Sequence, residues 1–175
     1  MKRSPSLLVA AGLALGGAVL TLTATSCSRT SEAAPAASPS ALVERGRYLI
    51  NISGCNDCHT PDFIQKGAAV PEADRLTGVP LGWRGPWGTS YAANLRRSLA
   101  AYDDPAVWIK MVRSRQGLPP MPWPSLQAMT DVDLTALHAY IRSLPVTGEV
   151  MPAPVPPDRD PSTPWLLMEP VMPQK

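Results

Sequence analysis

Cysteine and histidine are scarce in this chain, which holds three of the first and two of the second in 175 residues. Cys55, Cys58 and His59 take most of that supply, leaving Cys27 and His138 elsewhere in the chain. A structural zinc site built on Cys55 and Cys58 would need two further ligands, and they are missing. The surroundings also lack the strand, helix, strand context of a thioredoxin-like dithiol. No basic groove accompanies Trp83, Trp87 and Tyr91, and the formal net charge is only +2. That excludes a nucleic-acid stacking platform and leaves the rings as walls of a core. The length suffices for one domain with extensions and cannot hold two large cores.

What remains is a compact motif, Cys55-Asn56-Asp57-Cys58-His59. Cys-x-x-Cys followed directly by His is the arrangement that attaches and ligates a c-type haem. One helical turn presents both sulfurs to the two vinyl groups of one porphyrin, and the imidazole falls beneath the iron as the proximal ligand. Its other ring nitrogen needs an acceptor to fix the ring, and the spacing predicts a backbone carbonyl from the following stretch, from Pro80 or Pro86. One motif implies one haem c and counts against a two-haem peroxidase. A second informative stretch is Gly117-Leu118-Pro119-Pro120-Met121-Pro122-Trp123-Pro124. Its prolines forbid a helix and remove backbone donors, so Met121 is held on a stiff, extended loop suited to a sixth iron ligand. Met111 on a helical apolar stripe, Met129 before a helix cap, and Met151, Met168 and Met172 in the tail are the competitors.

The N-terminus reads as an export segment over residues 1–27: a basic start at Lys2 and Arg3, then a small and apolar run from Leu7 to Leu22. It ends on Leu22-Thr23-Ala24-Thr25-Ser26-Cys27, similar to a bacterial lipobox whose cysteine is lipidated, although Ala24 stands where Leu is more usual. A lipid on Cys27 is the favoured membrane attachment; a cleaved soluble form and an uncleaved apolar anchor are the alternatives. Residues 28–41 are rich in Ala, Ser and Pro and read as a flexible tether.

The domain proper is expected over residues 42–145. Leu42, Val43, Gly46, Leu49 and Ile50 recur at helical spacing behind a cap at Ser40, with Gly54 as the stop. Gly46 predicts the close approach of a C-terminal helix, and Ala136 beside Tyr140 is the complementary surface. Residues 60–95 read as a long Gly- and Pro-rich loop around the haem. Asp104-Pro105 starts a helix that Gly117 ends, and Thr130 with Asp133 opens the clearest helix of all, closed by Pro145. His138 is out of phase with that helix's apolar face and reads as a surface residue. Residues 84–115 carry six basic side chains against Asp103 and Asp104, a solvated face or a docking patch for an acidic redox partner. The tail, residues 146–175, follows Pro145 and is Pro-rich; it is disordered or docks through Trp165-Leu166-Leu167-Met168.

Arg45-Gly46-Arg47-Tyr48-Leu49, the haem motif with Thr60, Tyr91-Ala92-Ala93-Asn94-Leu95, Met121-Pro122-Trp123, and the run from Met129 to Pro145 together resemble a single-haem class I type cytochrome c. The likeness is greatest to the cytochrome domains associated with bacterial periplasmic dehydrogenases. It implies an all-α cytochrome c fold, few helices and long loops around one covalent haem, with His59 and Met121 as axial ligands. It further implies a non-enzymatic one-electron carrier in the periplasm, between a dehydrogenase and a respiratory acceptor. A fixed haem subunit of a dehydrogenase complex is one alternative, and a haem enzyme or sensor that binds a small molecule is the other. Arg96-Arg97-Ser98 departs from the family pattern, where Thr-Pro-Asp is common.

Overall fold

The computed structural model describes residues 38–173. The export segment, Cys27 and all but the last residues of the expected tether therefore lie outside the described residues. Helix α1 (Pro39–Ile52) starts at Pro39 rather than Leu42: Ser38 supplies the cap, its hydroxyl accepting from Ala41 N at 3.2 Å, and Pro39 takes a first-turn position where its missing N–H costs nothing. Helix α2 (Cys55–His59) follows Gly54, whose φ of 66° is the left-handed conformation that separates the two helices.

Residues 60–95 are more ordered than a loop. Helix α3 (Phe63–Lys66) and two short 3-10 turns lead into strand β1 (Val79–Gly85), which pairs antiparallel with β2 (Gly88–Ala92). Pro80, Gly82, Gly85 and Gly88 all disfavour strands, which is why the pattern reads as a loop. The hairpin is sustained from outside: the tail contributes β3 (Trp165–Leu167), parallel to β1, and Val155 bridges to Thr89 on the other edge. A small sheet is thus added to the expected helical architecture, in the order β2, β1, β3.

Helix α4 (Leu95–Ala100) begins at Asn94, whose side chain accepts from Arg97 N at 3.1 Å. Helix α5 (Pro105–Ser114) has Asp104 as cap and Pro105 in its first turn, and it ends before Gly117. The prolines after Met121 do not abolish helix: α6 (Trp123–Ala128) forms with Pro122 as cap and Pro124 in its first turn. Helix α7 (Asp131–Ser143) opens on the reciprocal Thr130–Asp133 pair, at 3.1 and 2.9 Å. Arg45 reaches across from α1 to the same Asp133 at 2.7 Å. At the crossing of α1 and α7, a Cβ on Gly46 would stand 2.6 Å from Tyr140 Cβ and would overlap the Ala136 carbonyl, so only glycine fits. Leu49, Ile50, Trp108, Val112, Leu134, Leu137 and Ile141 form the core under this crossing. No helix among the described residues is long and apolar enough to cross a membrane.

The tail is docked from Pro145 to Met168. Asn94 Nδ2 donates to Thr147 O at 2.8 Å, Arg97 to Gly148 O at 2.6 Å, and Arg84 to Arg159 O at 2.7 Å. The Tyr91 and Thr163 hydroxyls meet at 2.8 Å, and Met168 N donates to Arg84 O at 2.7 Å. Extended, proline-rich chain is suited to this because it spends few donors of its own.

Candidate haem site

Helix α2 presents Cys55, Cys58 and His59 to one cavity of about 690 Å³, walled largely by apolar groups of α1, α5, α6 and α7 and by Trp83 and Tyr91 of the hairpin. Gly54 turns the chain so that α2 can leave α1 at this wall. A polar relay beneath holds it there: Asn56 Nδ2 donates to Asn51 Oδ1 at 3.1 Å, Thr60 Oγ1 donates to Asn56 Oδ1 at 2.8 Å, and Leu76 N donates to Thr60 Oγ1 at 2.8 Å. Asn56 and Thr60 are both buried, so each bond also satisfies a group that would otherwise be costly to enclose.

His59 Nδ1 lies 2.7 Å from the carbonyl of Ala93, just after β2. A carbonyl only accepts, so Nδ1 carries the proton and Nε2 keeps its lone pair. Burial disfavours the imidazolium and lowers the His59 pKa, although the Ala93 bond opposes this. The orienting carbonyl belongs to the stretch expected, but not to Pro80 or Pro86. Both of those are exposed, Pro80 in β1 and Pro86 in the hairpin turn, whereas His59 is buried.

The cysteine thiols are desolvated: burial pushes Cys55 up to about 11, and burial together with Asp57 raises Cys58. A dithiol that exchanges disulfides needs the opposite shift, toward thiolate. Two cysteines and a neutral imidazole on one turn, facing a large apolar cavity, fit the thioether and iron chemistry of haem c. Among the described residues no group of three or more His, Cys, Asp or Glu side chains could hold a bare metal ion.

Three methionines line the cavity: Met111 on α5, Met121 on the loop before α6, and Met129 at its C-terminal end. Met111 and Met129 also pack against the buried cluster of the core, and Met121 does not. Met151, Met168 and Met172 are absent from the cavity wall. Gly117 lets the Trp123 indole lie against the backbone at the head of the Met121 loop, with the Arg115 guanidinium 5.1 Å from the ring centre.

Several expected positions differ. Trp87 is not on the cavity wall; it folds back over Gly85 at the hairpin turn. His138 is buried rather than on the surface, its Nε2 lying 2.8 Å from Tyr102 O, and it does not line the cavity. Of the basic side chains between 84 and 115, Arg96 is buried and spans to the carbonyls of Glu72, Arg75 and Pro145, Arg84 pairs with Asp160, and Arg113 pairs with Asp131. Much of the apparent docking charge is therefore spent on internal bonds. Sequence reading also missed Ala93, because a backbone oxygen carries no motif.

The cytochrome c family model matches residues 43–145. The chain is similar to the cytochrome c subunit of the quinone-dependent alcohol dehydrogenase of Gluconacetobacter polyoxogenes, 31% identical over 73% of this chain and 26% of that protein. It is also similar to the gluconate 2-dehydrogenase cytochrome c subunit of Pantoea cypripedii, 31% identical over 57% of this chain and 22% of that one. The fructose dehydrogenase cytochrome subunit of Gluconobacter japonicus is 29% identical, over 60% and 22%. The chain thus spans about a quarter or less of the length of these relatives. No solved structure matches it. The family model covers more than half of the chain, so the chain belongs to the cytochrome c family and binds haem c covalently.

Proposed function

We propose that the protein is a periplasmic one-electron carrier, passing electrons from a dehydrogenase to a respiratory acceptor through a single haem c. The haem supplies an iron that cycles between the ferric and ferrous states. In this reading Cys55 and Cys58 would hold the macrocycle as thioethers, and His59 Nε2 and Met121 Sδ would be the two protein ligands of the iron. Ala93 keeps the imidazole in the required tautomer, and the apolar wall limits water around the iron. The observation that supports this most is the cavity itself, which gathers the attachment helix and Met121 while Met111 and Met129 also pack into the core. A fixed place as a haem subunit of a dehydrogenase complex is the second reading, favoured by the relatives, each a dehydrogenase subunit by name.

The test is carbon monoxide. With Met121 as ligand the ferrous protein resists carbon monoxide at neutral pH, and Met121→Ala admits it, loses the sulfur-to-iron absorption band and lowers the reduction potential. Rapid binding by the wild type would instead indicate a sensor or enzyme. Loss of that band in Met129→Ala but not in Met121→Ala would move the ligand. We further propose that Cys27 carries a lipid that holds the protein at the membrane; Cys27→Ser then shifts it from the membrane to the soluble fraction, and unchanged fractionation refutes the anchor.

A further inference from the structure

We propose that Ser90 is a positioning residue for the sixth iron ligand: its hydroxyl fastens the loop that carries Met121 to the strand whose end fixes His59. The inference rests on the assignment of Met121 made above.

Ser90 lies in β2, 8% exposed, on the cavity wall. Its Oγ donates to the carbonyl of Pro119, two residues before Met121, and stands 3.5 Å from Trp83 O across the hairpin. The loop makes few other hydrogen bonds. Pro119, Pro120 and Pro122 have no N–H to donate. The backbone bonds made by residues 118–122 run forward into α6: Trp123 N donates to Met121 O at 2.9 Å, and Ser125 N to Pro122 O at 3.0 Å. Among the described residues, the Ser90 hydroxyl makes the one hydrogen bond that ties this segment to another element. Three residues further along the same chain, Ala93 O receives His59 Nδ1. One short stretch of backbone thereby sets the orientation of the imidazole and the approach of the thioether. Loss of the hydroxyl leaves the Pro119 carbonyl without that donor, and the loop swings away from the iron more often.

The experiment titrates the ferric holoprotein with imidazole, which takes the iron position that the thioether vacates. Apparent affinity then scales with the population in which the loop is open. Ser90→Ala is expected to bind imidazole about five- to tenfold more tightly than wild type, the factor expected for losing one hydrogen bond. Ser90→Thr keeps the hydroxyl and stays near wild type. Ser114→Ala removes a serine hydroxyl outside the cavity wall, bonded to Lys110 O at 3.0 Å, and leaves the affinity unchanged. Wild-type affinity in Ser90→Ala, or an equal gain in Ser114→Ala, overturns the proposal. If Ser90→Ala fails to accumulate, Ser90→Val against Ser90→Thr makes the same comparison at equal shape, and equal affinities overturn it. Met121→Ala separates the two layers: retention of the sulfur-to-iron band there refutes the ligand assignment, whereas its loss beside a silent Ser90→Ala refutes the role of Ser90 alone.

Discussion

Glu72 is the residue on which three distant parts of the chain converge. Its carboxylate accepts from Tyr140 Oη at 2.7 Å and from Arg47 Nε at 2.8 Å, while its backbone carbonyl accepts from the buried Arg96 at 2.7 Å. The Tyr140 bond, with Arg47 beside it, holds the carboxyl below its usual range, and burial with the Glu72 bond pushes Tyr140 up to about 12. A lowered carboxyl pKa stabilises the fold above the unfolded carboxylate value, and that part is lost as pH falls through the lowered value. The raised tyrosine contributes fully below its ordinary value of 10.0 and is lost as pH rises through about 12. Between those limits the contribution is flat. Tyr140→Phe is therefore expected to lower stability at pH 7 by about 1 kcal/mol, after allowance for the half-exposed Arg47–Glu72 pair. Urea unfolding at pH 7 and again in acid, below the carboxylate range, checks it: the gap between the proteins narrows in acid, and a constant gap would remove ionisation from the account.

At the scale of elements, the α1–α7 crossing is the joint under which the core and the haem cavity assemble. Gly46→Ala gains about 1 kcal/mol of helix propensity, yet its methyl meets the Ala136 carbonyl and Tyr140 Cβ, neither of which can move without shifting α7. The net effect is a loss of about 2 kcal/mol, read as a lower thermal midpoint; an unchanged midpoint would refute steric exclusion at Gly46. This crossing was legible in the sequence because a glycine in an apolar stripe and a small residue one turn from an aromatic are both periodic signals. The caps at Asp104 and Thr130 were legible for the same reason, being local chemistry. The hairpin was not, since Pro80, Gly82, Gly85 and Gly88 argue against strands, and its third strand lies beyond the far end of the helical domain. The Ala93 carbonyl was hidden as well, because what matters there is a backbone oxygen placed by β2 rather than a side chain.

The described residues form a helical haem cage with a strap. The family match ends at residue 145, but the chain beyond it supplies Pro154 to the cavity wall and β3 to the sheet. Removal of residues 150–175 should leave haem attachment intact, because α2 is untouched. It should also lower the thermal midpoint and, by opening the wall to water, lower the reduction potential. A stained gel, a melting curve and a redox titration check the three parts, and a potential equal to that of the full chain would reduce the strap to a mechanical role. The strap also sets an order of assembly. Arg84 bonds to a carbonyl 75 residues further along, so this contact waits until residue 159 has been made. Helices α1 and α7 both lie ahead of the strap in the chain. A chain cut short between α7 and β3 would thus keep the helices and leave the β1 edge bare, the part of the protein most apt to join its neighbours in aggregates.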